Sequence, residues 1–137
     1  MNNLIIPMAG KGERFLRANY KTYKPFLISK NSNTILENIF NKFDKNINKI
    51  FIVSNKLNKK YISILKKIHK SKIIKISPHK LGPGYSIIRA EKKISKLKNI
   101  FVSYSDIEWI WNNRIRSLSK NTIFCFKGYH PFTVDNN

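Results

Sequence analysis

The chain has 137 residues, and its 27 Lys and Arg residues against 7 Asp and Glu residues give a formal net charge of +20. This length allows one α/β domain with its own core, and a hydrophobic content of 42% is ordinary for a globular protein. The lone cysteine, Cys125, excludes a disulfide framework and a cysteine-rich zinc site. Neither a signal-peptide core nor an apolar run of about 18 residues is present, so we expect a cytoplasmic protein without a membrane span.

The excess of positive charge has two interpretations. It favours polyanionic partners such as nucleic acid, an anionic membrane or phosphorylated substrates. The basic residues, however, are nearly all lysines spread along the chain, and Asn and Ile are abundant too, as AT-rich coding would produce. We therefore expect most lysines to lie on a solvated surface, and we predict neither specific nucleic-acid binding nor membrane binding.

Strands and helices alternate along the sequence. In chain order, the predicted elements are a strand at 3–8, a helical turn at 13–18, an extended piece at 26–29, a helix at 34–43, a strand at 49–54, a helix at 57–69, a strand at 72–76, a helix at 85–94, a strand at 99–104, a helix at 109–118 and a strand at 122–126. This alternation predicts a single α/β domain over residues 1–137, with three layers and a mostly parallel, Rossmann-like sheet. The weaker strand at 72–76 is expected near an edge of that sheet.

Two of the helices carry specific signals. Thr34 and Glu37 have the spacing of a capping box at the start of the first helix. The apolar face of that helix consists of Ile35, Leu36, Ile39, Phe40 and Phe43. The predicted apolar face of the second helix consists of Tyr61, Ile64, Leu65 and Ile68.

A glycine-rich loop follows the first strand. Gly10 and Gly12 lack a Cβ, so the backbone N–H groups around them could approach phosphate oxygens closely. The predicted phosphate-binding loop consists of Ala9, Gly10, Lys11 and Gly12. Arg14 follows at once and Lys24 lies further on, and we interpret these two cations as partners of one anionic ligand. A plain strand-to-helix turn is the alternative for the glycines.

Sheet topology predicts where a ligand would lie. Ligands of open parallel sheets bind at the carboxyl ends of the strands. The glycine loop follows the first predicted strand, and Asp106 follows the strand at 99–104. We therefore expect a phosphate loop and a carboxylate, far apart in sequence, to meet at one edge of the sheet.

The stretches 5–15 and 20–28 resemble the N-terminal signature of sugar-phosphate nucleotidyltransferases, which is a strand, a Gly-x-Gly-Ser/Thr-Arg loop, a spacer and a Lys-Pro step. The resemblance implies a nucleotide-diphospho-sugar transferase-like fold, with Arg14 and Lys24 on the phosphates of a nucleoside triphosphate. The sequence departs from the signature twice: Glu13 replaces the usual Ser or Thr, and Tyr23 stands where proline is common.

The resemblance also implies roles for later residues. Residues 101–111 are similar to a Ser-Tyr-x-Asp-x-x-Trp pattern whose Asp binds Mg²⁺, which makes Asp106 the implied ligand of a magnesium cofactor. Capping of the next helix is the alternative for Asp106. Gly82 and Gly84 match a second loop that contacts the base, although a sheet-to-helix turn would explain them equally well.

Two further residues near these motifs have open roles. Residues 128–132 resemble a Gly-Phe-His-Pro segment of the same subgroup, and the role of His130 within them stays open. Glu108 lies close to Asp106 and is either a further ligand or an acid at a helix start.

The implied reaction transfers a nucleoside monophosphate from a nucleoside triphosphate to a sugar phosphate and releases pyrophosphate. A phosphorylated nucleophile is already ionised at neutral pH, so positioning and charge neutralisation suffice without a general base. The implied partners are the triphosphate and the sugar phosphate, and the family-level pathway is the synthesis of nucleotide sugars for polysaccharides.

The resemblance covers only the front part of the family domain. We therefore expect a domain truncated at the C-terminus that keeps a nucleotide site, has weak or no transferase activity alone, and can form a homo-oligomer through an exposed sheet edge. A non-catalytic, degenerate nucleotide-binding or interaction domain is the main alternative. A basic nucleic-acid-binding module is the second, and it is disfavoured because most aromatic residues lie in apolar strands.

Overall fold

A computed structural model describes residues 2–12, 17–29, 31–107 and 122 of the chain. Within these residues the sheet has four parallel strands in the order β3-β2-β1-β4. The strands are β1 (Asn3–Met8), β2 (Asn48–Ser54), β3 (Ser71–Ile76) and β4 (Ile100–Val102). The predicted parallel sheet is confirmed, and β3 lies at an edge of the described sheet, as its weak pattern predicted.

Helices cover both faces of the sheet. They are a 3₁₀ helix (Lys24–Phe26), α1 (Ile35–Phe40), α2 (Lys59–Lys67) and α3 (Gly82–Ile94). Side chains of α1 and α2 pack with Leu4 and Phe51 on one face, whereas side chains of α3 pack with Ile5 and Ile52 on the other. The strand order explains this division. The chain adds β2 and β3 on one side of β1 and then crosses to the other side of β1 to form β4. With right-handed crossovers, the helices before β3 and the helix between β3 and β4 therefore lie on opposite faces of the sheet.

Strand β1 is the centre of the core. All six of its residues are buried, and alternate side chains enter the two clusters on opposite faces of the sheet. A continuous apolar run suits such a strand, because neither face of it meets water. The glycine loop therefore leaves the sheet from its most firmly packed strand.

The capping box at the start of α1 is confirmed. The Glu37 backbone N–H donates to Thr34 Oγ1 at 3.1 Å, and the Thr34 backbone N–H donates to a Glu37 carboxylate oxygen at 2.7 Å. The helix is shorter than predicted, since it ends at Phe40. Phe43 is nevertheless buried in the same cluster as Leu36, beyond the last helical turn.

Two predicted elements need correction. The extended piece at 26–29 was placed too early, because Lys24, Pro25 and Phe26 form the 3₁₀ helix and extended backbone resumes at Leu27. Proline fits a first helical turn, since its fixed φ is helical and its missing N–H leaves no bond unmade there. Helix α3 starts three positions earlier than predicted, so Gly82 and Gly84 lie in its first turn rather than in a preceding loop.

The other boundary differences are small, but one changes the buried face of a helix. Helix α2 spans 59–67 instead of 57–69, and β4 spans 100–102 instead of 99–104. On α2, Ile62 and Leu65 are buried, whereas Ile64 is 39% exposed. The predicted face was therefore rotated, because Ile62 occupies the core position that the sequence pattern gave to Ile64.

One lysine departs from the expected solvated surface. Lys49 is buried, and its ammonium group donates to the backbone oxygens of Ile47 at 3.2 Å and His69 at 3.3 Å. Burial lowers the pKa of Lys49, and the neighbouring positive charge of Lys70 lowers it further. The lysine thereby connects the start of β2 with the end of α2.

Several predictions fall outside the described residues. These are most of the helical turn at 13–18, the helix at 109–118, the strand at 122–126 and the segment 128–132. No helix of the described part of the chain is long and apolar enough to cross a membrane.

Candidate nucleotide site

The predicted phosphate loop lies at the carboxyl end of β1. Ala9 is buried, whereas Gly10, Lys11 and Gly12 are exposed. Gly12 has a φ of +63°, which explains its identity by backbone conformation alone. A Cβ added to Gly10 would meet nothing within 4 Å, so neither packing nor an unusual φ accounts for that glycine. Open space beside Gly10 is what close approach of a ligand would need.

The 3₁₀ helix is held against this loop by an aromatic cluster of Tyr23, Phe26 and Tyr61. The rings of Phe26 and Tyr61 stack with centroids 4.7 Å apart, and the Tyr23 ring lies 5.7 Å from that of Tyr61. The Tyr23 backbone N–H donates to Tyr61 Oη at 3.0 Å, and Tyr23 Oη donates to the backbone oxygen of Met8. Tyr23 thus fixes the position of Lys24 relative to the end of β1.

Lys24 and Asp106 form an ion pair at this edge. Lys24 Nζ lies 2.8 Å from Asp106 Oδ2, although 82 residues separate the two along the chain. Their side chains are 36% and 37% exposed, so water and solutes reach the pair. The predicted meeting of Asp106 with the glycine-loop edge is confirmed, because β4 pairs directly with β1 and Lys24 contacts Asp106.

The environment of the Tyr23 hydroxyl is apolar and negatively charged. Burial raises the pKa of Tyr23 to about 12 from its ordinary value of 10.0, and the nearby carboxylate of Asp106 contributes in the same direction. Tyr23 therefore stays a neutral hydrogen-bond donor at any physiological pH, which maintains its bond to Met8.

The second glycine pair is connected to the first through His79. Gly10 and His79 form a parallel β-bridge, and His79 lies shortly before α3. The Leu81 backbone N–H donates to His79 Nδ1 at 3.2 Å, so the ring proton sits on Nε2 and points to the buried Ser86 Oγ at 2.9 Å. The start of α3 is thereby fixed beside the phosphate loop.

Gly82 and Gly84 have different structural explanations. Gly82 has a φ of +80°, a conformation that disfavours other residues. Gly84 has open space at its Cβ position and no positive φ. No side chain caps this helix, and its first turn contains no acidic residue. The first turn of α3 begins three residues after His79, which forms the bridge to Gly10.

The described residues fit a magnesium ion only together with other ligands. No group of three or more His, Cys, Asp or Glu side chains is close enough to hold a metal among the described residues. Asp106 supplies one accessible carboxylate, and Mg²⁺ commonly takes one or two carboxylates with waters and substrate phosphates. The donor set thus suits a metal shared with a nucleotide.

The sequence analysis missed Tyr23, Tyr61 and His79 as residues that organise the site. Tyr23 was noted only as a departure from a proline, although a tyrosine beside the proposed phosphate-binding lysine was a usable signal. Tyr61 and His79 had no local signal, because their partners lie on other elements. Arg14, Glu13, Glu108 and His130 lie outside the described residues.

Comparison with solved structures identifies the fold. A crystal structure of the nucleoside-diphosphate-sugar pyrophosphorylase from Vibrio cholerae RC9 matches with a TM-score of 0.57 and 22% sequence identity, over 75% of this chain and 47% of that one. The chain has a sugar-nucleotidyltransferase-like fold. It spans about half of that pyrophosphorylase. No family model and no curated protein matches the sequence.

Proposed function

We propose that the chain provides the nucleotide site of a sugar-phosphate nucleotidyltransferase. The observation that carries the proposal is the meeting of Lys24 and Asp106 at the carboxyl edge of β1 and β4, beside the exposed Gly10. A flexible cation, an accessible carboxylate and bare backbone at one sheet edge are suited to a magnesium-bound triphosphate. The pyrophosphorylase-like fold supports the same assignment.

Each group has a distinct part in the proposed chemistry. A phosphate oxygen of the sugar phosphate attacks the α-phosphorus of the triphosphate, the new oxygen–phosphorus bond forms, and the bond to the β-phosphate breaks to release pyrophosphate. Lys24 would neutralise charge on the α-phosphate, and backbone N–H groups of residues 9–12 would hold the phosphates. Arg14, by its place in the motif, would add a forked contact.

A magnesium ion would be held by Asp106 and would supply further neutralisation of the phosphate charge. The second glycine turn, with Gly82 and Gly84, would face the base, since His79 brings it beside Gly10. Which base and which sugar the site accepts would depend on its contacts with the bound substrates.

Calorimetric titration of each magnesium–nucleoside triphosphate into the purified chain tests the proposal. Moderate salt suppresses loose attraction to the +20 charge. We expect saturable binding that prefers one base and that Lys24→Ala and Asp106→Ala each weaken by about tenfold or more. Lys98→Ala is the matched control, because it removes an exposed lysine that precedes β4. Lys98 therefore lies at the amino end of that strand, whereas Asp106 follows its carboxyl end.

Equal, weak binding of all four nucleotides, indifferent to the Lys24 and Asp106 substitutions, would contradict the proposal. The motifs would then be remnants of the fold, and the chain would be a non-catalytic interaction domain. Release of pyrophosphate with sugar 1-phosphates, measured afterwards, decides whether the bound nucleotide is also transferred.

A further inference from the structure

The ion pair at the site engages both of the groups that the proposed function requires. Lys24 Nζ lies 2.8 Å from Asp106 Oδ2, which is a full hydrogen-bonded contact. While the pair is formed, one N–H donor of Lys24 is bound to the carboxylate, and one carboxylate oxygen of Asp106 is less available to a cation. A triphosphate and a metal therefore each compete with this contact.

Among the described residues, the charges around Asp106 disfavour a free cation. The other described carboxylates lie elsewhere, since Glu37 caps α1, Asp44 precedes β2 and Glu91 lies near the end of α3. The chain also carries a net charge of +20, which repels free divalent ions and attracts anions. A magnesium–triphosphate complex remains negative, so it is attracted where the bare ion is not.

We propose that Lys24 and Asp106 form a counter-ion latch, in which Lys24 stays paired with the Asp106 carboxylate until a triphosphate binds to the lysine. The metal is then accepted only together with the nucleotide, because phosphate binding frees Asp106 at the moment when phosphate oxygens complete the ligand set. This inference rests on the proposed function, since it assigns phosphate to Lys24 and metal to Asp106.

The pair is well suited to open on binding. Solvent-accessible ion pairs contribute little to stability, so exchange of partners costs little. The Tyr23 contacts hold the 3₁₀ helix that carries Lys24, and the pairing with β1 holds β4, which ends shortly before Asp106. Only the two side chains need to move.

Metal binding by the nucleotide-free chain tests the latch directly. Mn²⁺, which accepts the same oxygen ligands as Mg²⁺, can be titrated into the protein while the free ion is followed by electron paramagnetic resonance. We expect Lys24→Gln to bind Mn²⁺ about three- to tenfold more tightly than the parent, because the substitution releases Asp106 and removes a neighbouring charge. Lys98→Gln should change the affinity by less than about twofold, since it removes the same charge at the opposite edge.

Nucleotide binding without metal provides the second test, with different variants. In the presence of a chelator, Asp106→Asn should raise the affinity for the preferred triphosphate by about threefold, because the ion pair of Lys24 with Asp106 is lost. In a Lys24→Gln background the same change should have less than about a twofold effect. An equal rise in both backgrounds would mean simple repulsion by Asp106 and would overturn the latch.

The possible outcomes distinguish a failure of the latch from a failure of the proposed function. Saturable nucleotide binding combined with equal Mn²⁺ affinity of the parent and Lys24→Gln would disprove the latch and leave the proposed function standing. Absence of saturable nucleotide binding by the parent would disprove both. Circular dichroism of every variant verifies that the fold is retained.

Discussion

At the scale of single residues, the site depends on side chains whose environments differ sharply. Tyr23 is largely buried and donates to a backbone oxygen, whereas Lys24 beside it is more than one-third exposed and pairs with Asp106. One residue therefore anchors the turn and its neighbour stays available to a ligand. This division explains why a tyrosine is useful at a position where the resembled family commonly has proline.

Titration of Tyr23 should be visible in the stability of the protein at high pH. Its pKa is about 12 in the folded chain and 10.0 when unfolded, so the unfolded state loses its proton first. The free energy of unfolding should therefore be unaffected by this group below pH 10 and should fall by about 2–3 kcal/mol as the pH rises toward 12. Denaturant unfolding of the parent and Tyr23→Phe, compared across this range, isolates the effect.

The phenolate absorbance offers an independent check. The phenolate step at about pH 12 should disappear from the titration of Tyr23→Phe and remain in that of Tyr20→Phe, a half-exposed control. Asp106→Asn should lower the pKa of Tyr23, because it removes the second cause of the shift. An unshifted titration of all tyrosines in the parent would contradict the buried environment.

At the scale of elements, the carboxyl edge of the sheet is assembled from three connections. The glycine loop follows β1, the segment containing Asp106 follows β4, and α3 begins beside the loop through the bridge between Gly10 and His79. Each connection is short. Strands β1 and β3 contribute buried residues to the core, whereas Ile100 and Val102 of β4 are exposed and β4 is held by its pairing with β1. The site is therefore placed by firm elements, although the residues that would contact a ligand are exposed.

Two glycines at this edge should respond differently to the same substitution. Gly82→Ala should destabilise the chain by about 1 kcal/mol, because a Cβ is strained at a φ of +80°. Gly10→Ala should change the stability by less than about 0.5 kcal/mol, since it has open space and no positive φ. Gly10→Ala should instead weaken triphosphate binding.

Thermal unfolding and nucleotide calorimetry of both variants measure these effects. A stable Gly10→Ala variant with unchanged nucleotide affinity would show that the loop is a plain turn. A Gly82→Ala variant as stable as the parent would show that the start of α3 adapts its backbone without cost.

At the scale of the whole molecule, the charge is the dominant property. Most lysines of the described part of the chain are exposed and are distributed over both faces and both edges, with Lys49 as a buried exception. Such a surface attracts any polyanion without recognising it. A specific nucleotide site must therefore be distinguished from this general attraction by its dependence on Lys24.

Binding to DNA or RNA should show the general attraction in isolation. We expect weak affinity that falls steeply as the salt concentration rises from about 50 to about 200 mM, with a steepness roughly in proportion to the number of phosphates neutralised. Lys24→Ala should leave this affinity nearly unchanged. Fluorescence anisotropy with a labelled oligonucleotide measures both. Sequence preference, or salt-resistant affinity lost with Lys24→Ala, would instead support nucleic-acid recognition at this edge.

The sequence by itself determined the layered parallel sheet, the edge position of β3, the capping box of α1 and the end of the sheet from which both the glycine loop and the segment of Asp106 leave. Those features follow from the periodicity of apolar residues, from hydrogen bonds between near neighbours in the sequence and from the general handedness of crossovers. All three can be applied to short stretches of consecutive residues. The roles of Arg14, Lys24, Gly82, Gly84 and Asp106 in binding remain predictions.

Only the tertiary structure decided how the site is held together. The bond from Tyr23 to Met8, the ion pair of Lys24 with Asp106 and the bridge between His79 and Gly10 all join residues that are distant in the sequence. The burial of Ile62 in place of Ile64 likewise depends on how α2 is rotated against the sheet. Such contacts depend on the relative placement of packed elements, and no pattern within a single element encodes that placement.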